Sequence, residues 1–325
     1  MSAPPDTGTA FGHEPVMIDE VLAALQPRDG ASYVDGTFGA GGYSSAILEA
    51  ADCRVWAIDR DPDAVAGAAE LVEKYAGRLT VIEGRFGDMA QILARQGIGA
   101  VDGVALDLGV SSMQIDDPER GFSFRNDGPL DMRQGRDGLS ASDLVNEAEE
   151  GVLADIIFKY GEERQARRIA RAIFNARADA PITRTGQLAD IVRGIYRGGR
   201  SSKTDPATRT FQAIRIQVNE ELDEIERGLR GAEIVLAPGG RLAVVSFHSL
   251  EDRIVKEFLR AHSGDVPTVS RHMPTAASAG PAPCFRLIRR GTQKPSDAET
   301  KRNPRSRSAR LRVAERTSAP PMQEG

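Results

Sequence analysis

The chain has 325 residues, 40% of them hydrophobic and 27% charged, with a formal net charge of −5. That length accommodates one large domain with an insertion or a second domain, and the composition is that of an ordinary globular protein. No apolar run approaches the ~20 residues of a membrane span, and the polar, proline-bearing stretch Met1 to Thr9 lacks a signal peptide's apolar core, so a cytosolic protein is expected. Cys53 and Cys284 offer neither a disulfide framework nor a metal-ligand spacing; both read as inert thiols, and no metal is expected.

The first predicted strand, Tyr33-Val34-Asp35, ends in a carboxylate and runs into the glycine-dense turn Gly36-Thr37-Phe38-Gly39-Ala40-Gly41-Gly42-Tyr43. Glycines belong where the backbone takes φ > 0 or must approach a ligand closely, and the helix that follows offers free N–H groups in its first turn. The second strand, Val55-Trp56-Ala57-Ile58-Asp59, also ends in an acid, a position suited to the two hydroxyls of a ribose. A dinucleotide site requires Gly-x-Gly-x-x-Gly with no preceding acid, because a carboxylate would repel a pyrophosphate over the helix N-terminus. Here Asp35 comes first and position 44 is Ser44, so that register fails. S-adenosylmethionine carries an ammonium and a sulfonium and no phosphate, and an Asp faces those charges favourably. The turn therefore favours a methyl donor over NAD.

Leu79 to Glu83 and Gly103 to Asp107 read as strands three and four, with helical patterns over Ala64 to Lys74 and Met89 to Gln96 between the strands. This alternation predicts a Rossmann-like, doubly wound α/β sheet. The next strand, Arg241 to Phe247, arrives more than a hundred residues later, so a large insertion separates them. Residues 114–140 read as loop. From Ala141 to about Arg197, apolar residues recur at helical spacing: Val152, Leu153, Ile156 and Ile157, then Ile169, Ile173 and Phe174, then Leu188, Ile191, Val192 and Ile195. One long helix is predicted from about Thr208 to Leu236, its apolar face made by Phe211, Ile214, Val218, Leu222, Ile225 and Leu229. The expected organisation is a first part of the α/β domain over 1–113, an inserted all-α subdomain over 114–216, and the second part over 217–325. Cys284 to Ile288 and Ala309 to Val313 are the candidate closing strands. Ser263 to Pro283 is expected to be mobile, and Thr317 to Gly325 disordered.

Charge is distributed unevenly. Eleven basic residues stand against three acidic ones between Phe285 and Arg316, and Arg164, Arg167, Arg168, Arg171 and Arg177 form a second cluster. With Arg193, Arg197, Arg200 and Lys203 these form the expected RNA contact, because basic patches are the usual footprint of a phosphate backbone. Aromatic residues are only 5% of the chain, which argues for phosphate contacts and one base pocket over extensive stacking.

Placed on the sheet, Asp35 and Gly39 to Tyr43 would surround a methionine moiety, Asp59 a ribose and Phe86 an adenine, while Asp107, at the end of strand four, lies beside the expected methyl position. Longer motifs follow: His13-Glu14-Pro15-Val16-Met17, Asp107-Leu108-Gly109-Val110-Ser111-Ser112, Glu119-Arg120-Gly121-Phe122-Ser123-Phe124, Gly128-Pro129-Leu130-Asp131-Met132-Arg133, Thr208-Arg209-Thr210-Phe211-Gln212-Ala213 and Ser246-Phe247-His248-Ser249-Leu250-Glu251-Asp252. In this order and nearly end to end, the chain closely resembles the ribosomal RNA small subunit methyltransferase H family, also called MraW. The resemblance implies a class I methyltransferase that moves a methyl from S-adenosylmethionine to N4 of a cytidine in 16S ribosomal RNA, free or in the small ribosomal subunit or its precursor. Carried across position by position, it implies cofactor contacts at Gly41, Gly42, Tyr43, Asp59, Phe86, Asp107 and Gln114. Tyr43 stands where many relatives are expected to have His, a change that a backbone contact would tolerate.

The cytosine amino group is a poor nucleophile, so it must be aligned with the methyl and hydrogen-bonded to an acceptor. Asp35, Asp107 and His248 are the candidate catalytic groups, and the sequence does not choose among them. A hydrolase triad around His248-Ser249 is not expected, since sequence neighbours rarely converge as a triad and no Gly-x-Ser-x-Gly elbow is present. Rival readings are an NAD-dependent oxidoreductase and a non-catalytic RNA-binding or ribosome-assembly factor with a residual cofactor site. Whether the chain acts alone or as a homodimer is left open.

Overall fold

The structure is a computed structural model that describes residues 15–196, 205–264 and 282–322. Most of the Ser263 to Pro283 stretch lies outside the described residues, as do His13, Glu14, Arg197, Arg200 and Lys203. The chain forms two compact units, Met1–Gly109 with Leu222–Gly325, and Val110–Glu221.

The first unit opens with α1 (Ile18–Leu25), β1 (Ser32–Asp35), α2 (Gly42–Ala50), β2 (Arg54–Asp59), α3 (Pro62–Ala66), α4 (Ala69–Lys74), β3 (Leu79–Glu83), α5 (Met89–Arg95) and β4 (Val101–Asp107). The second unit carries α6 (Ser112–Asp116), α7 (Ala141–Glu147), α8 (Glu150–Gly161), α9 (Ala166–Asp179), α10 (Thr185–Ile195) and α11 (Ala207–Asn219). The chain then returns through α12 (Glu221–Val235), β5 (Leu236–Ser246), α13 (Ser249–His262), β6 (Phe285–Leu287), α14 (Asp297–Arg302) and β7 (Arg310–Arg316).

The strands form one seven-stranded sheet in the order β3-β2-β1-β4-β5-β7-β6. β1 to β5 pair in parallel, while β7 runs antiparallel to both β5 and β6. Neighbouring residues of β1 serve opposite cores, as a pleated strand requires: Tyr33 packs with Val21, Leu25, Ile47 and Leu48 of α1 and α2, whereas Val34 packs with Met89, Leu93, Leu229 and Val255 of α5, α12 and α13. Strands buried on both faces need near-continuous apolar sequence, which is why these segments were readable. The chain leaves β1 toward β2 and β3, then resumes on the other side of β1 with β4. That reversal opens a crevice at the carboxyl ends of β1 and β4.

Several expectations are corrected. The helix expected over Ala64 to Lys74 breaks into α3 and α4 at Gly67 and Ala68, glycine being a poor helix former. The long helix expected from Thr208 to Leu236 is two helices, interrupted at Glu220, whose φ of 53° is left-handed. Its apolar stripe serves two cores: Phe211 and Ile214 pack in the second unit, Ile225 and Leu229 in the first. Asn219 secures the break, its buried amide donating to Met132 O at 2.7 Å and Arg215 O at 2.9 Å while its Oδ1 accepts from Gln134 N–H at 2.7 Å. The start of the expected 114–140 loop belongs to α6, set up by a capping box between Ser111 and Gln114. In the second unit Leu153, Ile157, Ile169, Ile173, Leu188 and Val192 are fully buried, but Val152 and Phe174, which share that helical spacing, are exposed. Thr317 to Met322 is not disordered: Thr317 N–H donates to Cys284 O at 2.8 Å and Met322 N–H to Glu233 Oε1 at 2.9 Å. Residues 323–325 lie outside the described residues.

Replacing Asn219 by Ala strands buried backbone groups that now have partners. The Asn219→Ala chain is expected to lose about 2–4 kcal/mol of stability, a sum over lost and unsatisfied hydrogen bonds, read from urea unfolding midpoints.

Candidate cofactor and active site

Asp35 ends β1 fully buried, and its two oxygens organise the glycine turn. Oδ2 accepts from Ser44 N–H at 3.1 Å and Ser44 Oγ–H at 2.7 Å, and Oδ1 from Thr37 N–H at 3.2 Å. Ser44 lies in the first turn of α2, so this carboxylate already fills one of the free donor positions that a pyrophosphate would need. Burial pushes the Asp35 carboxyl up to about 6, partly offset by these hydrogen bonds and reinforced by nearby Asp59.

The turn is closed tightly from outside. A Cβ at Gly42 would lie 2.3 Å from Pro15 Cγ, and Gly41, at φ 77°, holds the left-handed conformation that precedes α2. Tyr43 is buried, and its hydroxyl donates to Val16 O at 2.7 Å, so only its backbone is left for a ligand. Glu299 of α14 accepts from Met17 N–H at 2.7 Å and so anchors the segment that carries Pro15 and Val16.

Asp59 ends β2 and is partly exposed. Its Oδ2 accepts from Gly39 N–H at 2.7 Å and its Oδ1 from Asp61 N–H at 2.8 Å. Each oxygen keeps a second lone pair, which is what a ribose diol needs. Burial raises its pKa. Phe86, just beyond β3, lays its ring against α12, where a Cβ at Gly228 would sit 2.4 Å from Phe86 Cδ2; the glycine allows this approach.

Asp107 ends β4, next to β1 in the sheet. Its N–H donates to Thr37 Oγ1 at 2.7 Å, but its Oδ1 is buried with no hydrogen-bond partner among the described residues. Burial first, then Asp35 and Glu251, push its carboxyl well above the ordinary range. A buried orphan acceptor among acids is a place for a donor-bearing, positively charged ligand.

His248 has a different place. It caps α13: Nδ1 accepts from Glu251 N–H at 3.4 Å, Nε2 lies 3.1 Å from Glu251 Oε1, and Glu251 Oε2 accepts from Phe247 N–H at 2.7 Å. Asp252 is held by Arg310 at 3.1 Å and Arg312 at 2.8 Å. Gln114 belongs to the second unit, where its Oε1 accepts from Ser111 N–H at 3.0 Å and its N–H donates to Ser111 Oγ at 3.2 Å.

Sequence reasoning did not single out Thr37, Ser44, Pro15, Val16, Gly228 or Glu299. Ser44 carried one signal, as the residue that broke the dinucleotide register. Pro15 and Val16 carried another, since the motif that holds them has no evident role in the sequence.

This strand order, with β7 entering antiparallel between β5 and β6, and acids ending β1, β2 and β4 around a glycine turn, defines a class I S-adenosylmethionine-dependent methyltransferase. S-adenosylmethionine is the cofactor. Residues 10–317 match the profile of the MraW methylase family, and the chain belongs to that family. It is 60% identical over 309 residues to "Ribosomal RNA small subunit methyltransferase H" of Paramagnetospirillum magneticum, covering 95% of this chain and 96% of the relative. It is 61% identical over 323 residues to the protein of the same name from Rhodospirillum centenum, covering 98% of each. A solved rRNA methylase from Streptococcus thermophilus is a looser likeness, with 10% identity, coverage of 93% and 94%, and a TM-score of 0.37.

Asp59→Ala is expected to weaken S-adenosylmethionine binding by about 1.5–3 kcal/mol, the worth of charged hydrogen bonds; unchanged affinity in calorimetry would remove Asp59 from the site. Asp35 binds a proton on folding in the window between 3.8 and about 6. The ligand-free protein therefore gains stability from this group as pH falls through that window and loses it as pH rises. Asp35→Asn is expected to flatten this part of the profile when urea unfolding is followed from about pH 4 to about pH 7.

Proposed function

We propose that this chain transfers the methyl of S-adenosylmethionine to the exocyclic N4 of a cytidine in 16S ribosomal RNA, in the cytosol, on the small subunit or its precursor. The names borne by the close relatives support ribosomal RNA of the small subunit as the substrate. The observation that carries the chemistry is the Oδ1 of Asp107 at the end of β4, buried without a partner among the described residues. An exocyclic amino group brings N–H donors to such an acceptor. Methylation at a pyrimidine carbon would call for a nucleophile such as a thiol, whereas Cys53 and Cys284 are both buried, with Sγ directed at Ile47 O and Pro320 O.

S-adenosylmethionine supplies an electrophilic methyl on a positively charged sulfur. Asp59 would hold the ribose and Phe86 would pack on the adenine, while the backbone of Gly41, Gly42 and Tyr43 would border the amino-acid end. Asp107 would accept a hydrogen bond from the amino group, orient its lone pair and take up the proton as the N–CH3 bond forms and the CH3–S bond breaks, the sulfur leaving as a neutral thioether. A carboxyl pushed upward by burial suits that task, because a base poised nearer neutrality is the efficient one. The positive charge of the bound donor favours the ionised carboxylate before the step. Asp35 is committed to the turn and His248 to the α13 cap, so both serve as positioning residues.

RNA is held by the exposed face of α9. Arg167, Arg168 and Arg171 point outward with Arg164 just before the helix, while Ile169, Ala170 and Ile173 face the core. The C-terminal run contributes less than its composition suggested: Arg312 is spent on Asp252, Arg286 on Glu315, and Arg316 is buried against the carbonyls of Glu233 and Cys284.

Nucleoside analysis of 16S RNA from cells lacking the protein is expected to show loss of N4-methylcytidine at one site, restored by the native gene and not by Asp107→Asn; a methyl lost at another atom would overturn the assignment. In vitro, Asp107→Asn is expected to lower kcat by at least about 100-fold with cofactor affinity little changed, whereas a collapse in cofactor affinity would make Asp107 a binding residue. Reversing Arg167 and Arg171 to Glu is expected to reduce the salt dependence of RNA binding by a slope of about 1–2, at roughly 0.7 per phosphate contact, without altering donor affinity.

A further inference from the structure

Three side chains that methyl transfer leaves unused meet elsewhere in the first unit. Glu233 lies near the end of α12, His262 is the last residue of α13, and Cys284 directly precedes β6. One donor atom from each, a carboxylate oxygen, an imidazole nitrogen and the thiol sulfur, all lie within 4.8 Å of one another. His262 Nδ1 is 2.9 Å from Glu233 Oε2, yet it is buried without a properly directed hydrogen bond among the described residues.

The ligands' backbones are tied together independently of their side chains. Cys284 N–H donates to His262 O at 2.9 Å, and Arg316 bridges Glu233 and Cys284, with Nε to Glu233 O at 2.9 Å and Nη1 to Cys284 O at 3.1 Å. The His262 ring is fixed by stacking on Phe258 at a centroid distance of 4.0 Å, and Glu233 Oε1 is held by Met322 N–H at 2.9 Å. Such fixed rings and carboxylates are what orient metal ligands.

We propose that Glu233, His262 and Cys284 form a binding site for a zinc-class divalent cation, which fastens the C-terminal segment to α12 and α13. Sulfur, imidazole nitrogen and carboxylate oxygen together are a borderline-soft donor set that suits zinc and not magnesium or calcium. Zinc bond lengths place tetrahedral donors roughly 3.3–3.6 Å apart, so small side-chain shifts close the site. A carboxylate and a thiolate neutralise the dication, with the thiol proton released to solvent. The fourth position falls to water or to Pro320 O, which lies 3.0 Å from Cys284 Sγ.

The test uses the full chain, stripped with chelator and re-equilibrated with zinc or cobalt(II). About one zinc per chain is expected, with a raised Tm, since a ligand of the folded state stabilises it. Cobalt is expected to give a thiolate-to-metal charge-transfer band that Cys284→Ser abolishes and Cys53→Ser retains. His262→Gln is expected to lower zinc affinity by at least about tenfold. Because the cobalt spectrum is read on the native chain, the proposal stays testable even if Cys284→Ser fails to fold. Absence of the band, substoichiometric zinc, or a band that survives in Cys284→Ser means a hydrogen-bonded cluster only and overturns the proposal, whatever the methyltransferase activity.

Discussion

A carboxylate buried at the end of β1 decides what the crevice can hold. Asp35 spends both oxygens on the turn that follows it and takes up donors at the start of α2. In a dinucleotide fold those donors face phosphate. Here they are occupied from within the protein by a negative group, and two further acids end the flanking strands. The field in the crevice thus selects a cation with a ribose over an anion with a ribose, and the identity of the cofactor follows from which charge the turn has already consumed.

The constraint has a cost that the ligand offsets. Asp35, Asp59 and Asp107 are all pushed upward chiefly by burial, so the ligand-free crevice is an unfavourable environment for three negative charges. Binding a positively charged donor relieves this and couples occupancy to the ionisation of Asp107. With Asp107 as the proposed proton acceptor, donor binding and readiness to accept a proton become one event instead of two.

Much of this was legible in the sequence because it is local. The strands were visible as apolar runs, their terminal acids by position, and the turn by its glycines. What was not legible depends on which core a residue joins. The stripe from Phe211 to Leu229 keeps helical spacing across two helices in two units, so periodicity could not show the break at Glu220. The arginines of the C-terminal run look alike in composition, yet Arg312 and Arg316 are structural while Arg305 and Arg307 are exposed. His248 looked chemical because imidazole titrates near neutrality; only the geometry of the α13 cap shows what it bonds to. The convergence of Glu233, His262 and Cys284 leaves no spacing signature, since three distant elements supply it.

The brace behind the glycine turn bears on how this protein is made. Pro15 and Val16 shape the turn, and their segment is pinned by Glu299 through a bond spanning 282 positions of sequence. Synthesis is vectorial, and α14 follows the glycine turn in the chain. A growing chain therefore exposes its donor loop before α14 supplies the support that sets it.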